Sequence, residues 1–493
     1  MSDALFSSLV AAPADPILGV TQRYRQDPRP QKVNLGVGAY MTDEGVTPVL
    51  DVVKEAETAL AEACIPHSYL PISGLDGYGA HVQQMVFGAD SEIVLSGRAA
   101  TIQTLGGTGA LKVGMDFMFH ICGERVASTS LPTWGNHNAI LGMAGYEIKP
   151  YRYYDAATNS LNFEAMVEDL KALPAKTLVV LHSCCHNPTG YDLTKEQWKV
   201  VIEICQKGGL TPFLDMAYQG FRDGLDEDAA SIRMFAASGM SFLVATSFSK
   251  SFNLYNERIG ALTVVCQSKA EADVVMTQLK AVVRCNYSNP PAHGAYIVER
   301  VLSDPQKYAH WKDELGGMRE RIRSMRKALA DEMARLGAKR DFSFVTRQAG
   351  MFSFTGLTPE QVEKLGPARR ALYAEILPPL GKAAQPADFF EYPWPTKVYI
   401  PLEDGSRLWG IYNYSDKLAD MRLEFGGERL VYDCWEHKAL GCLRSREITD
   451  MMPHSAEVLY ACALPPEARA VFSDCNIFAG AGLFESRLEG GFL

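Results

Sequence analysis

The chain has 493 residues, 47% hydrophobic and 22% charged, and a formal net charge of -10. That length supports two or three domains around a sizeable core, in the ordinary composition of a soluble globular enzyme. The acidic balance without a basic block excludes a nucleic-acid surface or an anionic membrane as the partner.

The eleven cysteines are scattered, Cys184 and Cys185 are adjacent, and no C-x-x-C pair occurs. This pattern indicates neither a disulfide framework nor a zinc site, and reduced, mostly buried thiols are expected. The first ten residues carry no basic segment followed by an apolar core, and no apolar run reaches membrane-spanning length, so a cytoplasmic protein is expected.

Residues 1–46 form a lead-in punctuated by proline and glycine, with a short predicted strand over Val33–Tyr40. Its glycines, Gly36 and Gly38, allow close backbone approach to a ligand, although a plain turn needs them equally. Residues 49–64 read as an amphipathic helix, and 68–79 as loop. At Gln103–Met118 a glycine-rich turn feeds directly into a helix, where free N–H groups suit an anion such as phosphate. It matches neither the P-loop nor the dinucleotide fingerprint.

Strand and helix patterns then alternate. Predicted strands are Arg125–Ser128, the extended run Tyr146–Tyr154, Thr177–His182, Thr211–Asp215, Phe242–Ala245 and Gly260–Val265. Predicted helices lie near 135–144 and over Phe163–Leu173, Lys195–Lys207 and Ala229–Ala237. This rhythm predicts an α/β fold with a mostly parallel sheet and helices on both faces, its ligands at the carboxyl ends of the strands. Four polar clusters fall at such ends: Thr104–Thr108, His182–Asn187, Asp215–Tyr218 and Ser247–Lys250. Together they argue for one pocket. In the last cluster Lys250 stands among small hydroxyl residues, with Arg258 eight residues on, as an amine beside a phosphate site would require.

From 268 to 337 the pattern is helical, broken at Asn286–Pro291. The charges over Gly317–Leu336 are interleaved and read as a solvated face. Phe342–Val345 and Gly350–Phe354 read as strands of a second, smaller domain. No internal repeat is present.

These residues carry a resemblance. Asn34–Gly38, Gly106–Leu111, Pro132–His137, His182–Gly190, Asp215–Phe221, Ser247–Phe252 with Tyr255–Arg258, Arg284–Pro291 and Gly350–Phe354 occur in the order of the class I pyridoxal-phosphate aminotransferases. Residues 5 to 365 resemble the aspartate/aromatic amino acid branch of that family. The resemblance implies a fold type I transferase with an N-terminal arm and part of a small domain at 1–46, and a cofactor-binding large domain at 47–309. It also implies a shortened small domain at 310–365.

It further implies pyridoxal 5'-phosphate on Lys250, Asp215 at the ring nitrogen, and Tyr218 and Asn187 at the ring's phenolic oxygen. Trp134 would stack on the ring, with His137 and His182 behind it. Gly107, Thr108, Ser247 and Arg258 would hold the phosphate, joined by Tyr69 from the other subunit of a homodimer. Gly38, Trp134 and Asn187 would line the substrate site, with Arg284 crossing the same interface to a side-chain carboxylate. No metal is implied. The implied reaction is ping-pong transamination of aromatic amino acids or aspartate with a 2-oxo acid such as 2-oxoglutarate, in which Lys250 moves the α-proton.

Taken singly, several of these residues have plainer readings: an acid at a strand end caps a helix, and a lone tryptophan or histidine is usually core. The resemblance stops at Leu365. The family's arginine for the substrate α-carboxylate is absent from the matched pattern, and 366–493 is an unassigned segment with aromatic, β-prone runs at Phe389–Pro395, Lys397–Pro401, Leu408–Tyr412 and Leu430–Trp435. Arg407 and Arg429, each before an apolar residue, are candidate replacements. The competing readings are a pyridoxal-phosphate enzyme of another reaction type (β-lyase, decarboxylase or racemase) and an impaired cofactor-binding scaffold.

Overall fold

The computed structural model describes residues 6, 38–43, 45–335, 338, 340–356, 385–386, 397–401, 407–413, 419–433, 438–451 and 455–462. The chain divides into two compact units between Leu357 and Thr358.

The first unit is organised by a seven-stranded sheet. Its strands are β1 (Ala99–Leu105), β2 (Val126–Ser128), β4 (Glu147–Ile148), β8 (Thr177–His182), β9 (Thr211–Met216), β10 (Phe242–Ser247) and β11 (Ile259–Val265), in the order β1-β11-β10-β9-β8-β2-β4. β10, β9, β8, β2 and β4 pair in parallel, whereas β11 runs antiparallel between β1 and β10. Short strands β3 (Ser130–Leu131), β5 (Tyr151–Arg152), β6 (Tyr154–Asp155) and β7 (Ser160–Leu161) make two small ladders beside it.

Every residue of β8, β10 and β11 is buried, which is why these runs are continuously apolar rather than alternating. Strand side chains point to alternate faces, and the two cores divide accordingly. Val179, Leu181, Leu214 and Val244 join one cluster, while Leu178, Val180, Phe213 and Leu243 join the other.

On the first face pack α1 (Asp51–Ala63), α2 (Tyr78–Phe87), α7 (Lys195–Gly208), α9 (Ala230–Ala237), α11 (His293–Leu302) and the start of α12 (Pro305–Arg335). On the second face pack α4 (Gly106–Asp116), α5 (Gly135–Ala144) and α10 (Lys269–Asn286). Three further helices are α3 (Glu92–Ser96), α6 (Phe163–Lys171) and the short α8 (Leu225–Asp228). A π-helical turn over Phe117–Ile121 follows α4. Among the described residues no helix is long and apolar enough to cross a membrane, and Cys64, Cys122, Cys184, Cys185, Cys205, Cys266, Cys285 and Cys442 are free.

Two predicted strands do not form. Phe342–Val345 is occupied by a 3-10 turn, Ser343–Arg347, and Gly350–Phe354 is irregular. Side chains satisfy the backbone that a ladder would have paired. The Asp341 carboxylate accepts from Ser343 N and Oγ, each at 2.7 Å, and the Gln348 amide bonds both N and O of Phe354. Of the strand predicted at Val33–Tyr40, residues 38–40 are described and lie outside any strand. Gly36, Thr358–Leu365 and Phe389–Pro395 lie outside the described residues.

The second unit is a six-stranded sheet in the order β12-β13-β14-β17-β15-β16, antiparallel throughout. Its strands are β12 (Gln385–Pro386), β13 (Lys397–Pro401), β14 (Arg407–Asn413), β15 (Ala419–Asp433), β16 (Lys438–Met451) and β17 (Ser455–Cys462). Ile411, Leu423, Phe425, Val431 and Leu459 form its core.

Candidate active site

The four polar clusters stand together because β1, β8, β9 and β10 end on one edge of the sheet. β11 starts on that same edge, so its first residues bring Arg258 back beside the ends of its neighbours. Gly260 pairs with Ser247 of β10 and with Thr104 of β1.

Asp215, on β9, is buried among histidines. Its Oδ2 lies 3.0 Å from His137 Nε2; His137 Nδ1 lies 2.9 Å from Thr133 Oγ1, which lies 3.2 Å from His182 Nε2. His182 Nδ1 in turn faces the backbone N–H of Asn187 at 3.5 Å. The two ends of this chain fix its direction, because an ionised carboxylate only accepts and a backbone N–H only donates. With neutral imidazoles, Asn187 N donates to His182, His182 to Thr133, Thr133 to His137, and His137 to Asp215.

The electrostatics agree. Burial pushes the Asp215 carboxyl up, but the hydrogen bond donated by His137, helped by the electrostatic influence of its neighbours His137, His182 and Lys250, outweighs it, leaving the carboxyl below its usual range. Burial, reinforced by His186 and His137, holds His182 well below its ordinary value against the pull of Asp215, and burial beside His137 lowers His186 to about 3. His182 therefore carries one ring proton, as the chain requires.

Lys250 follows β10. Its Nζ lies 4.9 Å from the centre of the Tyr218 ring, and among the described residues no carboxylate pairs with it. Burial lowers its pKa, Arg258 pushes the same way, and Asp215 opposes them. An amine so held is more often neutral, and so more nucleophilic, than a surface lysine. Trp311 of α12 steadies the lysine turn: its Nε1 donates to Ser251 O at 2.7 Å and its ring stacks on Phe252. Tyr218 is buried, and Asn187 Nδ2 reaches its hydroxyl at 3.5 Å. Burial and the charge of Asp215 raise the phenol's pKa.

Gly106 and Gly107 open α4, with Thr108 in its first turn. Gly106 has φ +65°, and a Cβ there would lie 2.9 Å from Arg258 Nη2; a Cβ on Gly107 would lie 3.1 Å from Ser247 Cβ. Arg258 Nη1 donates to Tyr255 O at 2.9 Å and to Ser249 Oγ at 3.3 Å. Helix N–H groups, hydroxyls and an exposed guanidinium thus converge on a cradle kept open by missing side chains. That donor set fits a phosphate dianion, and a half-buried, unpaired amine beside it fits a carbonyl. The residues present fit pyridoxal phosphate.

Trp134, half-buried at the start of α5, meets the His137 ring edge to face at 5.4 Å. Gly38 lies against Phe352, whose Cζ is 2.7 Å from where a Gly38 Cβ would stand. Two expected residues are not brought in. Tyr69 is 93% exposed, and Arg284, exposed on the last turn of α10, bonds the Ser288 hydroxyl. Arg407 and Arg429 stand on β14 and β15 of the second unit. Sequence reasoning missed Thr133, His186 and Phe352. Thr133 and Phe352 lay inside quoted motifs without a role, and His186 ties down through Ser130 Oγ at 2.8 Å and a stacked Tyr153. Cys184, Cys185 and Asp228 bring three possible metal-ligand atoms within 4.8 Å, but Asp228 is occupied by backbone N–H groups of Gly220, Arg222 and Asp223.

Comparison with known proteins adds a family. Residues 30–391 match the model for aminotransferase class I and II. The aspartate aminotransferase of Pseudomonas aeruginosa is 52% identical over 362 residues, 73% of this chain and 91% of that protein. The aromatic-amino-acid aminotransferase of Escherichia coli is 47% identical over 364 residues, again 73% and 91%. Among solved structures, the aromatic-amino-acid aminotransferase of Burkholderia pseudomallei, covalently bound to pyridoxal phosphate, superposes with a TM-score of 0.72 at 49% identity, covering 76% of this chain and 92% of that one.

Proposed function

Since this chain belongs to the class I and II aminotransferase family and is a pyridoxal-phosphate-dependent aminotransferase, we propose that it moves the amino group of aromatic amino acids and of aspartate to a 2-oxo acid, 2-oxoglutarate being the acceptor. The observation that carries this reading is the unpaired, half-buried Lys250 amine set between Tyr218, the ionised Asp215 and the cradle of Gly106, Gly107, Ser247 and Arg258.

When bound, the cofactor supplies a carbonyl that takes up an amine and a protonated ring that draws electrons from the bond being broken. Asp215 holds the ring-nitrogen proton by staying ionised, and the relay from Asn187 to His137 keeps it so. Lys250 would hold the cofactor at rest, and its freed amine is placed to take up the substrate α-proton and to give it back on the far side of the amino nitrogen. Tyr218 and Asn187 donate to the phenolic oxygen, and Trp134 covers the ring face. Gly107, Thr108, Ser247 and Arg258 hold the phosphate.

We further propose a cytoplasmic homodimer with shared sites. Its support is the exposure of Tyr69 and Arg284, which leaves both accessible to a second copy, and the free thiols, which suit a reducing compartment. The purified chain, given aspartate or phenylalanine with 2-oxoglutarate, should form glutamate and the matching 2-oxo acid. Product that forms at the same rate without 2-oxoglutarate would point instead to a lyase, decarboxylase or racemase.

A further inference from the structure

We propose that Arg326 of α12 is a positioning residue that sets the aromatic wall of the substrate site, and with it the balance between aromatic and acidic amino acids. The inference rests on the transaminase reading above.

Arg326 is 5% exposed and, among the described residues, has no carboxylate partner. Its guanidinium donates instead to the carbonyls of Gly350 and of Phe352, the latter at 3.1 Å, while Nε has no hydrogen-bond partner. Burying a cation without a counter-ion costs several kcal/mol, so a buried arginine spent on two carbonyls is costly to keep. What those carbonyls fix is the segment Gln348–Phe354, which forms no strand. The Gly350 and Phe352 oxygens are hydrogen-bonded to Arg326 and Gln348 bridges to Phe354, so the backbone that carries the Phe352 ring is tied down on both sides. The ring lies against Gly38, which the family resemblance assigns to the substrate site, and 6.1 Å from the Tyr218 ring.

The Gly38 side of this wall is held from the same helix. Arg321, five residues earlier, donates to Met41 O at 2.9 Å, pairs with Asp43 and lies over the Tyr40 ring. Tyr40 N donates to the Tyr255 hydroxyl at 2.9 Å, next to the lysine turn. One helix therefore pins Gly38 through Arg321 and Phe352 through Arg326. A ring displaced by half an ångström changes how a flat aromatic side chain packs, whereas a short carboxylate side chain depends on charge.

The test uses Arg326→Lys, Phe352→Leu and the double variant, each as the cofactor-loaded full chain. The readouts are kcat/KM for phenylalanine and for aspartate with 2-oxoglutarate, together with cofactor affinity by absorbance. Phe352→Leu should lower the phenylalanine-to-aspartate ratio about tenfold. Arg326→Lys should lower it in the same direction, the double variant should be no worse than the worse single one, and cofactor affinity should stay within about threefold. Equal loss for both substrates in Arg326→Lys, or additive shifts in the double variant, would overturn the proposal. Should Arg326→Lys fail to fold, an unchanged ratio in Phe352→Leu alone overturns it. A parent chain that makes no 2-oxo acid would sink the transaminase reading itself, a distinct outcome.

Discussion

Replacing Gly106 with alanine tests the phosphate cradle where it is tightest. The backbone there has φ +65°, which costs an L residue about 1–2 kcal/mol, and the new methyl would sit 2.9 Å from Arg258 Nη2. The backbone strain is present with or without cofactor, so it should appear as a stability loss of about 1–2 kcal/mol in urea unfolding of the cofactor-free chain. The guanidinium must then swing away, loosening its bonds to Tyr255 O and Ser249 Oγ at about 1 kcal/mol each. That movement should weaken cofactor binding at least tenfold, since about 1.4 kcal/mol is one decade. Gly107→Ala is the comparator: its methyl would meet Ser247 Cβ at 3.1 Å with no positive φ, a mismatch of a few tenths of an ångström. The assay is spectrophotometric titration of each cofactor-free chain with pyridoxal phosphate. If Gly106→Ala binds as tightly as the parent, or Gly107→Ala binds more weakly than Gly106→Ala, Arg258 is not part of the cradle.

Three further outcomes are expected. Burial pushes the Glu124 carboxyl up to about 7, with Oε2 unpaired and Oε1 accepting from Thr211. A carboxyl raised above its unfolded value contributes stability below about pH 4.5 and loses it as pH rises through 7, so Glu124→Gln should stabilise the chain at pH 8 by up to about 3 kcal/mol and have little effect at pH 4.5; equal effects at both pH values in urea unfolding would contradict this. Thr133→Val cuts the relay between His137 and His182, leaves both ring nitrogens unpaired, and should cost roughly 1–3 kcal/mol of stability together with a fall in kcat, read by unfolding and steady-state rates. Arg284→Ala should lower kcat/KM for aspartate at least about tenfold more than for phenylalanine; equal losses would remove Arg284 from the substrate site.

Much of this was legible in the sequence because β8, β9 and β10 are short, almost wholly buried runs with His182, Asp215 and Ser247 at or next to their ends, and hydrophobic pattern alone places such ends on one edge. The antiparallel return of β11 was not legible, since a fully buried strand reads the same in either direction. Strand β1 is masked in the sequence by the polar side chains of Thr101 and Gln103, which are spent on hydrogen bonds to residues distant in the chain: Thr101 on Thr263 and Gln83, Gln103 on Leu75 N and Pro291 O. Phe342–Val345 and Gly350–Phe354 alternate like strands, yet Asp341, Gln348 and Arg326 claim their backbone groups first. The motif residues Asp215, Tyr218, Asn187 and Lys250 do lie together, while Tyr69 and Arg284 are exposed. A single chain's pattern does not distinguish residues of its own pocket from those exposed for a neighbour.

The lysine turn leaves β10 and returns on β11, so its two feet are hydrogen-bonded neighbours, tied again to β1 at Gly260. The residues that would hold the cofactor are thus anchored in wholly buried strands, whereas Gly38 and Phe352 hang from arginines on one helix. The enzyme should therefore break in one order only. Damage to the walls leaves a coloured protein that has lost its taste for particular amino acids, while damage to the sheet bleaches it. Substrate scope is the half that descendants can retune cheaply, and the cofactor cradle is the half they inherit whole.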